Sequence, residues 1–139
     1  MGKINLGRVI LGGIVAGLVI NVSEFVLNDI VLGADMAASM KSHNLPDVGT
    51  SAIAVFTVLA FLIGIATVWV YAAIRPRFGS GAGTAVCAGS VVWFLAYLYP
   101  GIGYGMLQLF STKVIVVGLV WGLVELLIAA VAGAWLYKE

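Results

Sequence analysis

The sequence predicts an all-α integral membrane protein: a bundle of four transmembrane helices. Three observations point there. Hydrophobic residues make up 63% of the chain and charged residues 9%, against about 45–50% and about 25% in soluble domains. Mean hydropathy is +1.15. Finally, four apolar runs each approach or exceed the roughly 20 residues that a helix needs to cross a bilayer core of about 30 Å. The runs lack a period-two alternation, so helices rather than a closed barrel satisfy the backbone in lipid. Such a composition excludes a soluble enzyme, a nucleic-acid binder and a disordered chain. At 139 residues the chain reads as a single transmembrane domain, 1–139.

The first span, residues 8–32, is longer than the roughly 7–15 apolar residues of a cleavable signal core, so it is expected to be retained. An outer loop follows over residues 33–49. Its stretch from Asp35 to Lys41 is expected to form a short interfacial helix, with Met36 and Met40 four apart on one face and Pro46 beyond its end. The second span covers residues 50–74 and is expected to stop at Arg75-Pro76-Arg77, because proline disfavours continued helix. Gly79, Gly81 and Gly83 mark a tight turn into the third span, residues 81–99, which Pro100-Gly101-Ile102-Gly103 is expected to break. The fourth span covers residues 112–137.

Lys3, Arg8, Arg75, Arg77 and Lys138 fall at one end of this arrangement, and Lys41 and Lys113 at the other. The positive-inside rule then places the N and C termini in the cytoplasm. The expected location is multi-pass in a membrane, a bacterial cytoplasmic (inner) membrane. Trp69, Tyr71, Trp135 and Tyr137 are expected in an inner aromatic belt, and Tyr99 and Tyr104 in an outer one.

Two spans carry a polar stripe. On a helical wheel at about 100° per residue, Gly13, Gly17, Asn21, Glu24 and Asn28 fall within about 80° of one another, and so do Gly118, Gly122, Glu125, Ala129 and Gly133. The second span has a milder version in Ala60, Gly64, Thr67 and Tyr71. Small residues let helix backbones approach closely in lipid, so Gly13, Gly17, Gly64, Gly118 and Gly122 are the expected packing positions.

Glu24 and Glu125 are costly residues at bilayer depth, at least about 2.5–3.5 kcal/mol each on insertion scales. At about 1.5 Å per residue they lie about 12 Å and about 20 Å below the outer ends of their spans. Tyr97 and Thr57 share the level of Glu24, while Trp93 and Ser90 lie nearer Glu125. With no intramembrane Lys or Arg as counter-ion, the protonated carboxyl is favoured. That form donates to Asn21, Tyr97 or a backbone carbonyl. Two readings follow. Glu24, Glu125, Asn21, Asn28 and Tyr97 form a proton or cation site, or they are neutral hydrogen-bond glue between helices or subunits.

Other features carry less. Cys87 and His43 are the only residues of their types, which excludes an intrachain disulfide, a dithiol redox pair and bis-His haem ligation. No metal or cofactor is expected. No Ser/His/Asp set exists, so no enzymatic role is expected. Gly103-Tyr104-Gly105 is similar to part of a potassium-channel filter but lacks the preceding Thr-x and the pore helix.

In architecture the chain resembles a family of uncharacterised bacterial four-span membrane proteins, carried as a domain of unknown function. The likeness lies in the end of the first span, Leu32-Gly33-Ala34-Asp35-Met36 to Met40-Lys41, and in the small-residue last span from Ala129 to Trp135. The chain departs from that family in lacking a Trp-Tyr-Ser-type end of the first span and in having Glu24 and Asn28 there. The resemblance implies no functional residues. The expected function is that of a non-enzymatic membrane protein acting through helix packing, as an accessory subunit or homo-oligomer. Its partners are the lipid bilayer and further copies or a larger membrane complex, not nucleic acid. The alternative is a small proton- or cation-coupled transporter or channel using the intramembrane glutamates.

Overall fold

The computed structural model describes residues 3–138. They form helices and connecting turns, with no strand among the described residues. Four helical stretches are long and apolar enough to cross a membrane: Leu6–Val31, Thr50–Phe78, Ala82–Met106 and Thr112–Leu136.

The first stretch is α1 (Leu6–Phe25) continued by a wider π-helical turn, Val26–Val31. Asn5 caps it, its side-chain oxygen accepting from the Arg8 N–H at 3.2 Å. The π turn ends where the Leu32 N–H reaches back five residues to the Leu27 carbonyl at 2.8 Å. α2 (Gly33–Ser42) is the short helix expected from Asp35 to Lys41, somewhat longer at its start. Met36 packs against the buried Leu27, Leu32 and Val114, which fastens α2 to the ends of the first and last spans.

α3 (Thr50–Phe78) runs through Pro76 rather than stopping at Arg75. A proline this close to a helix end removes one backbone hydrogen bond without disrupting the turns before it. The stop comes at Gly79, whose φ of +85° suits glycine, and Gly81 follows at φ +132°.

The third stretch corrects the sequence expectation more strongly. α4 (Ala82–Trp93), a π turn (Phe94–Leu98) and α5 (Tyr99–Met106) are continuous, so Pro100 does not break the span at residue 99. The Tyr99 N–H donates to the Phe94 carbonyl five residues back. Pro100, with no N–H of its own, therefore follows a turn already wound wider than an α-helix, where the usual proline clash is relieved. Gly103, Tyr104 and Gly105 all lie in α5. Their carbonyls belong to a helix and cannot line a filter. α6 (Thr112–Leu136) starts at Ser111, whose hydroxyl accepts from the Val114 N–H at 3.3 Å.

The long helices form a four-membered ring in the order α1, α3, α4, α6. Neighbours are antiparallel: Gly13 and Gly17 meet Ile65 and Phe61, and Gly12 meets Gly133 while Ser23 meets Trp121. α1 and α3 approach most closely. A methyl at Gly64 would lie 2.5 Å from both the Gly13 oxygen and the Gly17 nitrogen. Gly64 lies in this seam, and the rest of the expected stripe, Ala60, Thr67 and Tyr71, is buried as well.

One end of the ring gathers Asn5, Tyr71, Arg75, Gly81 and Tyr137. The Asn5 N–H donates to the Tyr137 hydroxyl at 3.2 Å, and the Gly81 N–H to the Tyr71 hydroxyl at 3.3 Å. The two rings meet edge to face, 5.9 Å between centroids, and Arg75 lies over the Tyr137 ring. Tyr71 and Tyr137 are buried and clasp the helix ends together, rather than standing in a belt with Trp69 and Trp135, which are exposed. At the opposite end Lys113 pairs with Asp35 at 2.8 Å.

No more than a third of any of the four apolar windows is buried. Large side chains such as Ile14, Phe56, Leu62, Phe94 and Val120 point outward. A soluble monomer does not carry an apolar exterior of that extent.

Candidate functional site

Among the described residues Glu125 is the buried charged one, with 3% of its surface exposed. It projects from the middle of α6. Its Oε1 accepts from the Tyr97 hydroxyl at 2.9 Å. The same hydroxyl lies 3.4 Å from Oε1 of Glu24 on α1. Three helical stretches thus deliver one acid, one phenol and one acid to a single point.

The convergence follows from helix geometry. Side chains lean toward the N-terminus of their own helix. The two glutamates stand about 8 Å apart along the bundle by their distances from the helix ends. Because α1 and α6 are antiparallel, each carboxyl leans toward the level of the other. The Trp121 indole N–H donates to the Ser23 hydroxyl at 2.8 Å, and this bond holds α1 and α6 in register just beside the acids.

Tyr97 lies within the π turn of the third span. A methyl at Gly122 would lie 2.5 Å from its ring Cδ1. Glycine at 122 is what allows the ring to lie across α6 and set its hydroxyl on Glu125, one turn further along. A second π turn begins two residues after Glu24. Wide turns of this kind are frequent where a helix re-aims a side chain at a functional position.

Asn28, which is exposed, donates from Nδ2 to Glu24 Oε2 at 2.6 Å and to the Glu24 carbonyl at 2.9 Å. A polar chain therefore runs from the half-buried Glu24 to the surface. In the other direction the bundle is closed. Ala16, Ala129 and Ala130 are fully buried, and Gly12 packs directly on the Gly133 backbone.

The hydrogen count at the site is informative. A phenol has one proton to donate. It goes to Glu125 on the shorter contact, so a second bond, to Glu24, needs Glu24 to bring a proton of its own. Glu125 Oε2 is buried and has no hydrogen-bond partner. All seven basic residues of the chain lie at or beyond the helix ends. The acids therefore have no basic side chain among them.

The remaining expected residues divide. Asn21 does not join the acids: its Nδ2 donates to the Gly17 carbonyl at 2.9 Å and to the Thr57 carbonyl of α3 at 3.4 Å. The stripe on α1 splits because Gly13, Gly17 and Asn21 face α3, whereas Glu24 faces the third and fourth spans. Gly118 is not a packing position. No other helix comes within 4 Å of a methyl placed there. Trp93, expected near Glu125, donates its indole N–H to the Leu119 carbonyl at 2.9 Å.

Ser23, Trp121 and Gly12 were not singled out from sequence. Trp121 stands one turn before Glu125 on the same face, and Ser23 adjoins Glu24. Polar residues flanking an acid within an apolar run were the available signal.

Comparison with known protein families, curated proteins and solved structures finds no match to this chain.

Proposed function

We propose that this chain is a multi-pass membrane protein that takes up a proton or a cation at Glu24, Tyr97 and Glu125, and that it works as a small carrier. The basic end carrying Arg8, Arg75 and Arg77 faces the cytoplasm in this reading. The observation that carries it is the orphaned carboxyl oxygen of Glu125, almost fully buried and beside a second acid. Two carboxylates in a low-dielectric setting without a basic partner require a proton or a cation.

Helix glue is the competing role. It calls for satisfied polar groups, because a half-satisfied buried network weakens packing rather than supporting it. The unpartnered Oε2 argues against it. The glycine stripes bear on the expected oligomer too. Gly12, Gly13, Gly17, Gly64 and Gly133 are used within one chain, so they are not free to seat a second copy.

A carrier suits the site better than an open pore. The polar chain leads out past Asn28, and the opposite side is closed by Gly12 on Gly133. The test is reconstitution into liposomes with an internal pH dye, using the wild type, Glu125→Gln and Glu24→Gln. Wild-type flux driven by an ion or pH gradient is expected, with Glu125→Gln losing most of it. Infrared difference spectra across pH should contain a carboxyl C=O band that Glu125→Gln removes. Wild-type flux no greater than that of empty liposomes, together with no such band, would end the proposal.

A further inference from the structure

We infer that the ligand of this site is a lipophilic organic cation that enters sideways from the bilayer, along a groove on the outer face of α6. The inference rests on the acid-site reading above and names its substrate class. The groove has a volume of about 510 Å³, within the range of about 300–1,000 Å³ typical of small-molecule sites. Val120, Val124 and Ile128 form its apolar wall with Trp121, and Glu125 and Ser23 lie behind that wall at the inner side of the groove. Val120 and Val124 are each more than half exposed, so the groove opens away from the other helices.

Charge and hydration choose the occupant. Glu125 is buried, its Oε2 has no partner, and it lies on the groove wall. The Ser23 hydroxyl accepts from Trp121 and keeps one proton of its own, which supplies no charge to the carboxyl. A small inorganic cation entering by this route would lose its water shell against valine side chains that offer no oxygen in return. An anion would meet an acid. A cation whose charge is spread over an apolar body loses little on dehydration, matches the wall and brings the compensating charge to Glu125. The Trp121 ring adds a face that attracts such a cation. Glu24 and Tyr97 are the other titratable groups at this point, on the first and third spans. A lipid acyl chain also fits an apolar groove but has no use for the carboxyl.

The experiment is equilibrium dialysis of the protein in lipid nanodiscs, with empty nanodiscs subtracted. The probes are tetraphenylphosphonium, its neutral analogue tetraphenylsilane, and sodium ion. Tetraphenylphosphonium is expected to saturate near one per chain. Its affinity should weaken by about tenfold or more in Glu125→Gln, which loses the charge-assisted contact, and in Val120→Trp, which fills the groove. Equal binding of the neutral analogue, stronger binding of sodium, or unchanged affinity in both variants overturns the inference. The wild-type carboxyl infrared band, recorded without probe, separates the two failures. If that band responds to pH and disappears in Glu125→Gln while the phosphonium does not bind, the groove assignment falls alone. If there is no such band either, the acid-site reading falls with it.

Discussion

The ring of Tyr97 lies against the backbone of Gly122, where a methyl would come within 2.5 Å of ring Cδ1. This contact places the Tyr97 hydroxyl 2.9 Å from Glu125 Oε1. A glycine on α6 thereby sets the position of a phenol from another span, and the phenol links the two acids.

Gly122→Ala should displace that ring. Overpacking a filled seam costs about 1–3 kcal/mol, so a lower melting temperature in detergent is expected, together with loss of Glu125-dependent flux. Gly118→Ala, four residues earlier on the same helix, is the control. Its site is open, and a change within about 0.5 kcal/mol is expected. Equal effects of the two substitutions would show that the Tyr97 contact is unimportant.

Tyr97→Phe keeps the ring and removes the hydroxyl. Glu125 Oε1 then loses its donor, at a cost of about 1–3 kcal/mol for a buried unsatisfied group. The protonated-carboxyl stretch of Glu125 should move to higher wavenumber as its hydrogen bond is lost. An unmoved band and full flux would remove Tyr97 from the site.

Gly64→Val tests the closest seam in the bundle. The new side chain would meet the Gly13 oxygen and the Gly17 nitrogen, both backbone atoms that cannot turn aside. α1 and α3 must separate, and a loss of about 3 kcal/mol or more is expected. Thermal unfolding monitored by circular dichroism reads it directly. Near wild-type stability would mean that this seam forms differently.

Lys113→Ala should matter little. Lys113 is 64% exposed and its partner Asp35 31%, and exposed ion pairs contribute about 0–1 kcal/mol. α2 should stay docked through Met36, Leu27, Leu32 and Val114. Protease sensitivity of residues 33–49 is the readout. Ready cleavage in the variant would assign the docking to the ion pair instead.

The four apolar helices were legible because continuous runs of apolar residues need no knowledge of neighbours. So was α2, from two methionines four apart ahead of a proline. The ends of the second and third spans were misread. Pro76 and Pro100 are helix breakers locally, yet one stands at the edge of a helix and the other follows a π turn. A widened turn depends on how the helix packs, which spacing does not reveal. Tyr71 and Tyr137 were misread for a related reason. An aromatic residue near a span end looks the same in sequence whether it faces out or clasps the bundle.

Composition and hydropathy by themselves determined a helical protein with four helices long and apolar enough to cross a membrane, whose unusual members are Glu24 and Glu125, since the cost of an acid among apolar residues is a property of the residue and its segment. What only the tertiary structure decided is that the two acids share one hydroxyl, that Asn21 and Gly118 stand apart from them, and that Glu125 keeps one oxygen unpartnered beside a groove. Those facts depend on helix rotation, antiparallel lean and the room left by Gly122. They belong to the relation between helices, and no single helix encodes them.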